Sequence, residues 1–364
     1  MKTDPLIDVL RPKPRVWRSP RWFLRNQVKR IGRTLREAVL PLRVRHVSGP
    51  ENVSAASDEM IVACLIRDGL AYLDEFLRHY RALGARHIVF IDNGSSDGTL
   101  ERLAGEPGVT LLRSAAPYKT NNVLLKRYLL RRFGQANWVL LVDADELFDY
   151  TDRDRLPLRA LLADLNAHGF TAVVAQLLDL FPSTALQAEC GADWRRAHRF
   201  YDISAVVAQD YSGFFGSLNA ISEPRIKNLW GGVRTRFGVR NHLTKHPLLF
   251  PGRGLRYLSS HNVAGARLAD FSAVLLHYKY VGRFLPYMQR IAGEGSFFAG
   301  SAEYRSYVDA FASNPDLGLF SPQSRELRDV DQLVREGFLV AADRAAPSSC
   351  SGKPTELSVS NGRG

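Results

Sequence analysis

Asp143-Ala144-Asp145-Glu146, set directly behind the apolar run Trp138-Val139-Leu140-Leu141-Val142, is the stretch whose reading decides the fold. Five consecutive apolar residues bounded by polar ones read as a strand buried on both faces. An extended segment turns residues i and i+2 to one side, so Asp143 and Asp145 offer two carboxylates to one point, with small Ala144 between them. A second signal of this kind, Asp92-Asn93-Gly94-Ser95-Ser96-Asp97-Gly98-Thr99, follows the run His87 to Ile91. Acidic loops at the tips of buried strands imply an open α/β sheet, whose ligands sit outside the carboxyl ends of the strands.

Working outward, Met60 to Ile66 is another buried strand, and Leu70 to Leu83 carries apolar residues at steps of three and four before Gly84, the pattern of a helix. A short helix is expected over 98–103, a strand from Val109 to Leu112, and a helix from Asn122 to Phe133 leading into Trp138 to Val142. Strands alternating with helices predict a mainly parallel sheet covered on both faces. Beyond residue 151 the alternation weakens, although Ala172 to Leu178 and Ala273 to Leu276 still read as strands. Four regions result: a basic N-terminal arm (1–50), a Rossmann-like half (58–150), a second half of the same domain (151–340), and a Ser/Pro/Gly-rich tail (345–364) expected to be disordered.

The 364 residues are 45% hydrophobic and 24% charged, enough for one large domain. Cys64, Cys190 and Cys350 are too few and too scattered for a disulfide framework or a thiolate metal site, and read as reduced thiols. No apolar stretch reaches the ~18 residues of a spanning helix and the first residues lack a signal-peptide core, so a soluble, cytoplasmic protein is expected. The formal charge of +12 is concentrated, because residues 1–45 hold 13 Lys or Arg against 3 acids. There Trp17, Trp22, Phe23 and Leu24 alternate with basic residues. Cations mixed with aromatics suit an anionic membrane surface, making residues 11–45 a candidate for peripheral contact at the inner membrane face. Nucleic acid is the competing partner, less favoured since no recognised nucleic-acid motif occurs elsewhere; a solvated arm packed on its own domain is the third reading.

At the first loop, Asp92 ends a strand and can accept hydrogen bonds from a base lying across the strand tips. Gly94 and Gly98 allow close backbone approach, and Ser95, Ser96 and Asp97 can cap the next helix. An ordinary β–α turn without ligand explains the same residues. At the second loop, hard oxygen ligands suit Mg²⁺ or Mn²⁺ together with substrate phosphates, and an uncompensated acidic cluster at a strand tip would repel itself without a cation. Helix capping by Asp145 and Glu146 is the alternative.

Cys64-Leu65-Ile66-Arg67-Asp68, His79-Tyr80-Arg81-Ala82-Leu83-Gly84, the loop from Asp92 to Thr99, and Asp143-Ala144-Asp145-Glu146 together resemble bacterial family 2-type glycosyltransferases of the GT-A fold. The resemblance is strong over about 58–150, thinner to about 340, and excludes 1–45. Asp68-Gly69 stands where many members carry Asn-Glu, and the Gln-x-x-Arg-Trp run common on the acceptor side is absent. The resemblance implies a nucleotide-diphosphate sugar donor and a divalent cation, Mn²⁺ or Mg²⁺. By it Asp92 would contact the base with Asp97 in the same loop, Arg67 would border the nucleotide pocket, Asp143 would lie near ribose and metal, and Asp145 would ligate the metal.

In the second half His277 follows a strand-like run and is a candidate third metal ligand, with a structural histidine as the alternative. Lys279, Arg234 and Arg236 are candidates to neutralise a leaving diphosphate, or plain surface charges. His242 and His246 lack the acidic partner of a metallopeptidase motif and read as structural. An inverting transfer needs a base for the acceptor hydroxyl. Asp179 is the first candidate, on the expectation that burial at a strand end raises its pKa, and Glu223 the second. The sequence thus predicts a metal-dependent glycosyltransferase acting on a surface glycan or lipid-linked saccharide. A noncatalytic sugar-nucleotide-binding scaffold and a basic nucleic-acid-binding protein are the rivals.

Overall fold

The computed structural model describes residues 32–342 except 33, 189–192, 253, 282–283 and 296–297. Most of the basic arm, including Trp17, Trp22, Phe23 and Leu24, lies outside the described residues, as do the 345–364 tail, Cys190 and Cys350.

Nine strands form one sheet: β1 (Val44–Ser48), β2 (Met60–Ile66), β3 (His87–Asp92), β4 (Val109–Ser114), β5 (Trp138–Val142), β6 (Glu146–Asp149), β7 (Ala172–Asp179), β8 (Thr244–Leu249) and β9 (Leu268–His277). Their order is β1-β4-β3-β2-β5-β8-β7-β9-β6. Neighbours β4, β3, β2 and β5 are parallel, as are β7 and β9, whereas β1, β8 and β6 run against their neighbours. The protein is therefore α/β, with a mixed, mostly parallel sheet. Residues 44–48, assigned to the arm by sequence, belong instead to this sheet: β1 pairs with β4 from Val44 opposite Ser114.

Alternation along β2 divides the core. Met60, Val62, Cys64 and Ile66 meet Leu73, Phe76, Leu77 and Tyr80 of α1 (Leu70–Leu83), with α4 (Leu158–Ala167) on the same face. Ile61, Ala63 and Leu65 meet Leu124, Leu125, Leu129 and Phe133 of α3 (Tyr118–Phe133) on the other. Each buried Val, Leu, Ile, Phe or Met side chain here contributes about 1.5–3 kcal/mol by leaving water, which is why a run apolar at every position must be covered twice. The α1 helix stops at Gly84, whose φ of 96° is left-handed. The short helix α2 (Thr99–Leu103) links β3 to β4, and a later pair, α5 (Phe284–Glu294) and α6 (Phe298–Ser313), adds a third apolar cluster around Tyr280, Phe284, Tyr307 and Phe311. Several elements run beyond their predicted limits, to Asp92, Ser114 and Asp179 at strand ends and back to Tyr118 and Leu268. The strand-end residues Asp92, Ser114 and Asp179 are polar yet buried, whereas Lys119 and Thr120 in the first turn of α3 are exposed and carry no apolar pattern.

Two features of the topology position the site. From β2 the chain winds outward through β3 and β4, then crosses to β5 on the other side of β2, so the loops after β2 and β5 diverge and leave a crevice between them. Then only residues 143–145 join β5 to β6, although β8, β7 and β9 stand between those strands in hydrogen-bonding order. Consecutive Cα atoms are about 3.8 Å apart, so this short link requires the sheet to curl back until the two strand ends meet.

Candidate active site

Because β2, β3, β5, β7 and β9 point one way, Asp92, Asp143, Asp179 and His277 share the carboxyl edge of the sheet. The reversed strands β8 and β6 begin at that edge and add Lys245 and Glu146. Register fixes the closest neighbours: His277 is opposite Asp179 on β7 and opposite Glu146 on β6.

The second acidic loop is the hub. Asp143 receives the ammonium of Lys126 at 2.7 Å and that of Lys245 at 3.3 Å. Lys245 also pairs with Glu146, whose other oxygen accepts the Asp143 N–H at 3.1 Å. Asp145 Oδ2 lies 3.1 Å from His277 Nε2, and His277 Nδ1 lies 2.5 Å from Asp179 Oδ1. Arg234 closes the chain with a bidentate contact to Asp179, Nη2 at 2.6 Å and Nε at 2.7 Å. Nδ1 of His277 also lies 2.9 Å from Arg234 Nη2. A nitrogen cannot donate to a carboxylate and accept from a guanidinium with the same lone pair, so its proton points to Asp179 and the guanidinium is a close neighbour rather than a donor to the ring.

The electrostatics follow from this geometry. Burial alone would raise the pKa of Asp143, but Lys126 and Lys245 hold it well below the usual carboxylate range. Burial works against the charge on Lys126 too, yet Asp143 outweighs it and the ammonium stays protonated. Burial opposes protonation of His277, while Asp145 and Asp179 overcome it and raise its pKa. Four carboxylates thus face Lys126, Lys245, Arg234 and a readily protonated imidazole. The expectation of an uncompensated acidic cluster is corrected: the protein's own cations balance it.

Among the described residues Asp145, Glu146 and His277 offer ligand atoms within 4.8 Å of one another, a group that could hold a metal ion. Glu146 is buried with both oxygens engaged, whereas the Asp145 side chain is 27% exposed. Asp145 is therefore the most accessible of the three, with Nε2 of the buried His277 beside it, and Asp143, 34% exposed, borders them. His277 also has the outer carboxylate partner, Asp179 on Nδ1, that orients metal-ligating histidines. The residues present could hold a divalent cation.

Asp179 does not meet the expectation of a raised pKa. Burial pushes it up, but Arg234 and His277 pull its carboxyl well below the usual range, and its side chain is almost fully enclosed. A carboxylate held by Arg234 and His277 is a poor proton acceptor. Glu223 folds onto Arg225, at 2.7 Å, which lowers its pKa; among the described residues it contacts none of the cluster. Neither candidate stands as a free base.

The first loop is built from within. Asp92 is enclosed, with 0% exposure, and accepts from Gly94 N–H and Ser95 N–H at 3.1 Å. It organises the turn rather than facing a ligand. Asp97 caps two helices, accepting from Thr99 N–H at 3.0 Å and from Leu70 N–H at 2.9 Å. Asp68, at φ 53°, accepts the Ser96 N–H at 2.8 Å and meets Arg290 of α5 at 2.6 Å. Arg67 reaches Glu294 of α5 at 3.5 Å beside it. A Cβ at Gly69 would meet Ile66 and, at 3.4 Å, Ala144 of the loop after β5.

Of the remaining candidates, Lys279 pairs with Glu303 at 3.2 Å under the Tyr304 and Tyr307 rings, a carboxylate that Arg234 also approaches at 3.8 Å, and Arg236 is fixed by Asp202 at 2.7 Å. His242 and His246 are structural, His246 bonded to Tyr211 at 2.7 Å and His242 stacked on Trp230 at 4.4 Å. His79 and Tyr80 fasten β6 by bonds of 2.8 Å to the backbone of Phe148 and Glu146. Sequence reasoning missed Lys126 and Lys245. Lys126 is in line with the buried Leu129 and Phe133 at helical spacing, a cation in an apolar stripe that demands a buried partner. Lys245 precedes His246-Pro247, where the β7 register slips by one residue; β8 pairs with β5 only at Leu248 and Leu249, leaving room for the lysine at the edge. No family model matches the chain, and no curated protein is significantly similar to it.

Proposed function

We propose that this crevice binds a nucleotide-diphosphate sugar and passes the sugar to a hydroxyl of a saccharide or lipid-linked acceptor, as a metal-dependent glycosyltransferase of GT-A type. The observation that carries the reading is the Asp145–His277 pair at 3.1 Å, beside the crevice where the β2 and β5 loops diverge. A nucleotide fits such a crevice for the reason that open α/β sheets bind ligands there. A divalent cation, when bound, would neutralise the charge that develops on a leaving diphosphate. Asp145 and His277 would hold it, Asp179 would keep the imidazole in its productive tautomer, and Lys126 and Lys245 would fix Asp143 beside it. As the anomeric carbon parts from the diphosphate oxygen and joins the acceptor oxygen, the acceptor's proton must leave to a base.

A second reading, a noncatalytic sugar-nucleotide-binding protein, is favoured by one observation: Asp179 and Glu223 are both held by arginines. Calorimetric titration of nucleoside diphosphates and their sugars, with and without Mn²⁺, against wild type and Asp145→Ala tests both. Mn²⁺-dependent binding lost in the variant supports a donor site, and hydrolysis or transfer of the bound sugar separates enzyme from binder. No binding by folded wild type would reject both readings.

A further inference from the structure

The N-terminal end of the described chain presents a face that the crevice does not use. Residues 34–39 are helical and run into a 3-10 turn, Leu40–Arg43, ahead of β1. One side of this segment is anchored: Leu40 is buried, and Glu37 reaches Arg131 of α3 at 2.7 Å and Arg127 at 3.6 Å. The other side carries Leu35 and Val39 one helical turn apart and continues to Leu42; these are 61%, 43% and 84% exposed. Arg36, Arg43 and Arg45 are exposed beside them, and among the described residues no acid pairs with any of the three. An open groove of about 830 Å³ lies between the segment and α3, bordered by Glu37, Tyr128, Arg131 and Arg132.

We infer that this face, Leu35, Val39 and Leu42 with Arg36, Arg43 and Arg45, docks on an anionic lipid bilayer. Exposing large apolar side chains to water is unfavourable, and here they alternate with cations, so the matching surface must offer an apolar phase and negative charge together. A bilayer does so: the leucines enter the acyl boundary and the arginines meet headgroup phosphates. Nucleic acid would supply phosphates but no apolar phase. Residues 1–33 of the same chain carry ten Lys or Arg against two acids, and a second copy would bring the same basic face, so both would set like charges together. The inference is independent of what the crevice binds. Its consequence is spatial: Val44 pairs with Ser114, the last residue of β4, so the turn before it lies at the sheet edge where the crevice opens.

Co-sedimentation of the full chain with phosphatidylcholine–phosphatidylglycerol vesicles, pure phosphatidylcholine vesicles and duplex DNA tests it. Wild type should sediment with the anionic vesicles only, in a salt-sensitive manner. Replacing Arg36, Arg43 and Arg45 by Gln should weaken this about 5-fold per arginine. Replacing Leu35, Val39 and Leu42 by Ser should weaken it at least about 10-fold at unchanged net charge. All six side chains are exposed, and matched melting temperatures would verify folding. Vesicle binding unchanged by the serine variant would overturn the inference, as would DNA binding tighter than vesicle binding. A wild-type dimer that becomes monomeric in the serine variant without loss of vesicle binding would likewise reassign the face to self-association.

Discussion

Lys126 Nζ and Asp143 Oδ1 form an ion pair of 2.7 Å in which the lysine is 6% exposed and the aspartate 34%. The asymmetry predicts which partner is dearer to lose. Asp143→Asn strands a buried ammonium and should destabilise by about 3–5 kcal/mol. Lys126→Met leaves a part-exposed carboxylate that still has Lys245, and should cost about 1–2 kcal/mol. Urea unfolding of the two variants checks the order; equal losses would contradict the geometry.

Asp179 and Arg234 are both enclosed, so each single truncation should be severe, about 3–5 kcal/mol for Asp179→Ala or Arg234→Met. The double variant should recover part of that loss, since no unpaired charge remains, and a double-mutant cycle reads the coupling. If Asp179 only positions His277, Asp179→Asn should weaken Mn²⁺ binding about 10–100-fold, the size expected for an outer partner of a metal ligand.

These two residues also show what the sequence made legible. The strands from 60 to 142, the helix ending at Gly84 and the acidic turn at Asp143 are readable because each is set by residues close in the chain. Asp179 and Arg234 were both visible as candidates, but as a base and a phosphate ligand. That they are each other's partner depends on a separation of 55 residues and on the register of β7. Burial was the only influence on Asp179 that its apolar run revealed, so the sign of its shift came out reversed. Lys245 was hidden for the same reason, since a register slip at Pro247 sets its place and no local periodicity marks it.

Acid should unfold the protein through its histidines. Burial lowers the pKa of His246 to about 4, of His79 and His261 to about 3, and of His242 to about 2, all from an ordinary 6.5. Each is neutral when folded, so below 6.5 the unfolded chain takes up protons that the folded chain refuses. The stability they contribute is complete above 6.5 and is lost as pH falls. His277, raised, acts in the opposite sense. Burial also lowers the pKa of His87 and His198, so six lowered histidines against one raised should give a net loss, each strongly lowered one contributing up to about 1.4 kcal/mol per pH unit below 6.5. Melting curves between pH 7 and 5 measure it (roughly two units); a rise in melting temperature on acidification would refute the assignment.

Gly49 turns the chain out of β1 at φ 81°, and a Cβ there would lie 2.0 Å from the Val109 carbonyl oxygen. Gly49→Ala should cost about 2–4 kcal/mol. A neutral result would mean that β1 does not hold to the sheet as described.

Mn²⁺ at about 100 times its dissociation constant should stabilise wild type by about 2.7 kcal/mol, raising its melting temperature. Asp145→Ala should abolish the shift and His277→Ala should reduce it. Identical shifts in all three proteins would place the ion elsewhere.

The three-residue link between β5 and β6 has a bearing on how the chain comes to be folded. Synthesis delivers the acidic turn about a hundred residues before its partners: Glu146 awaits Lys245, 99 positions on, and Asp145 awaits His277, 132 positions on. Until β7, β8 and β9 have been inserted, β6 has no strand to pair with and the carboxylates have only Lys126 for company. The acidic turn therefore acquires its full set of partners only after the second half of the chain has been made. The first 150 residues, severed from the rest, would keep Asp143, Asp145 and Glu146 but lose Lys245 and His277, and with them the site.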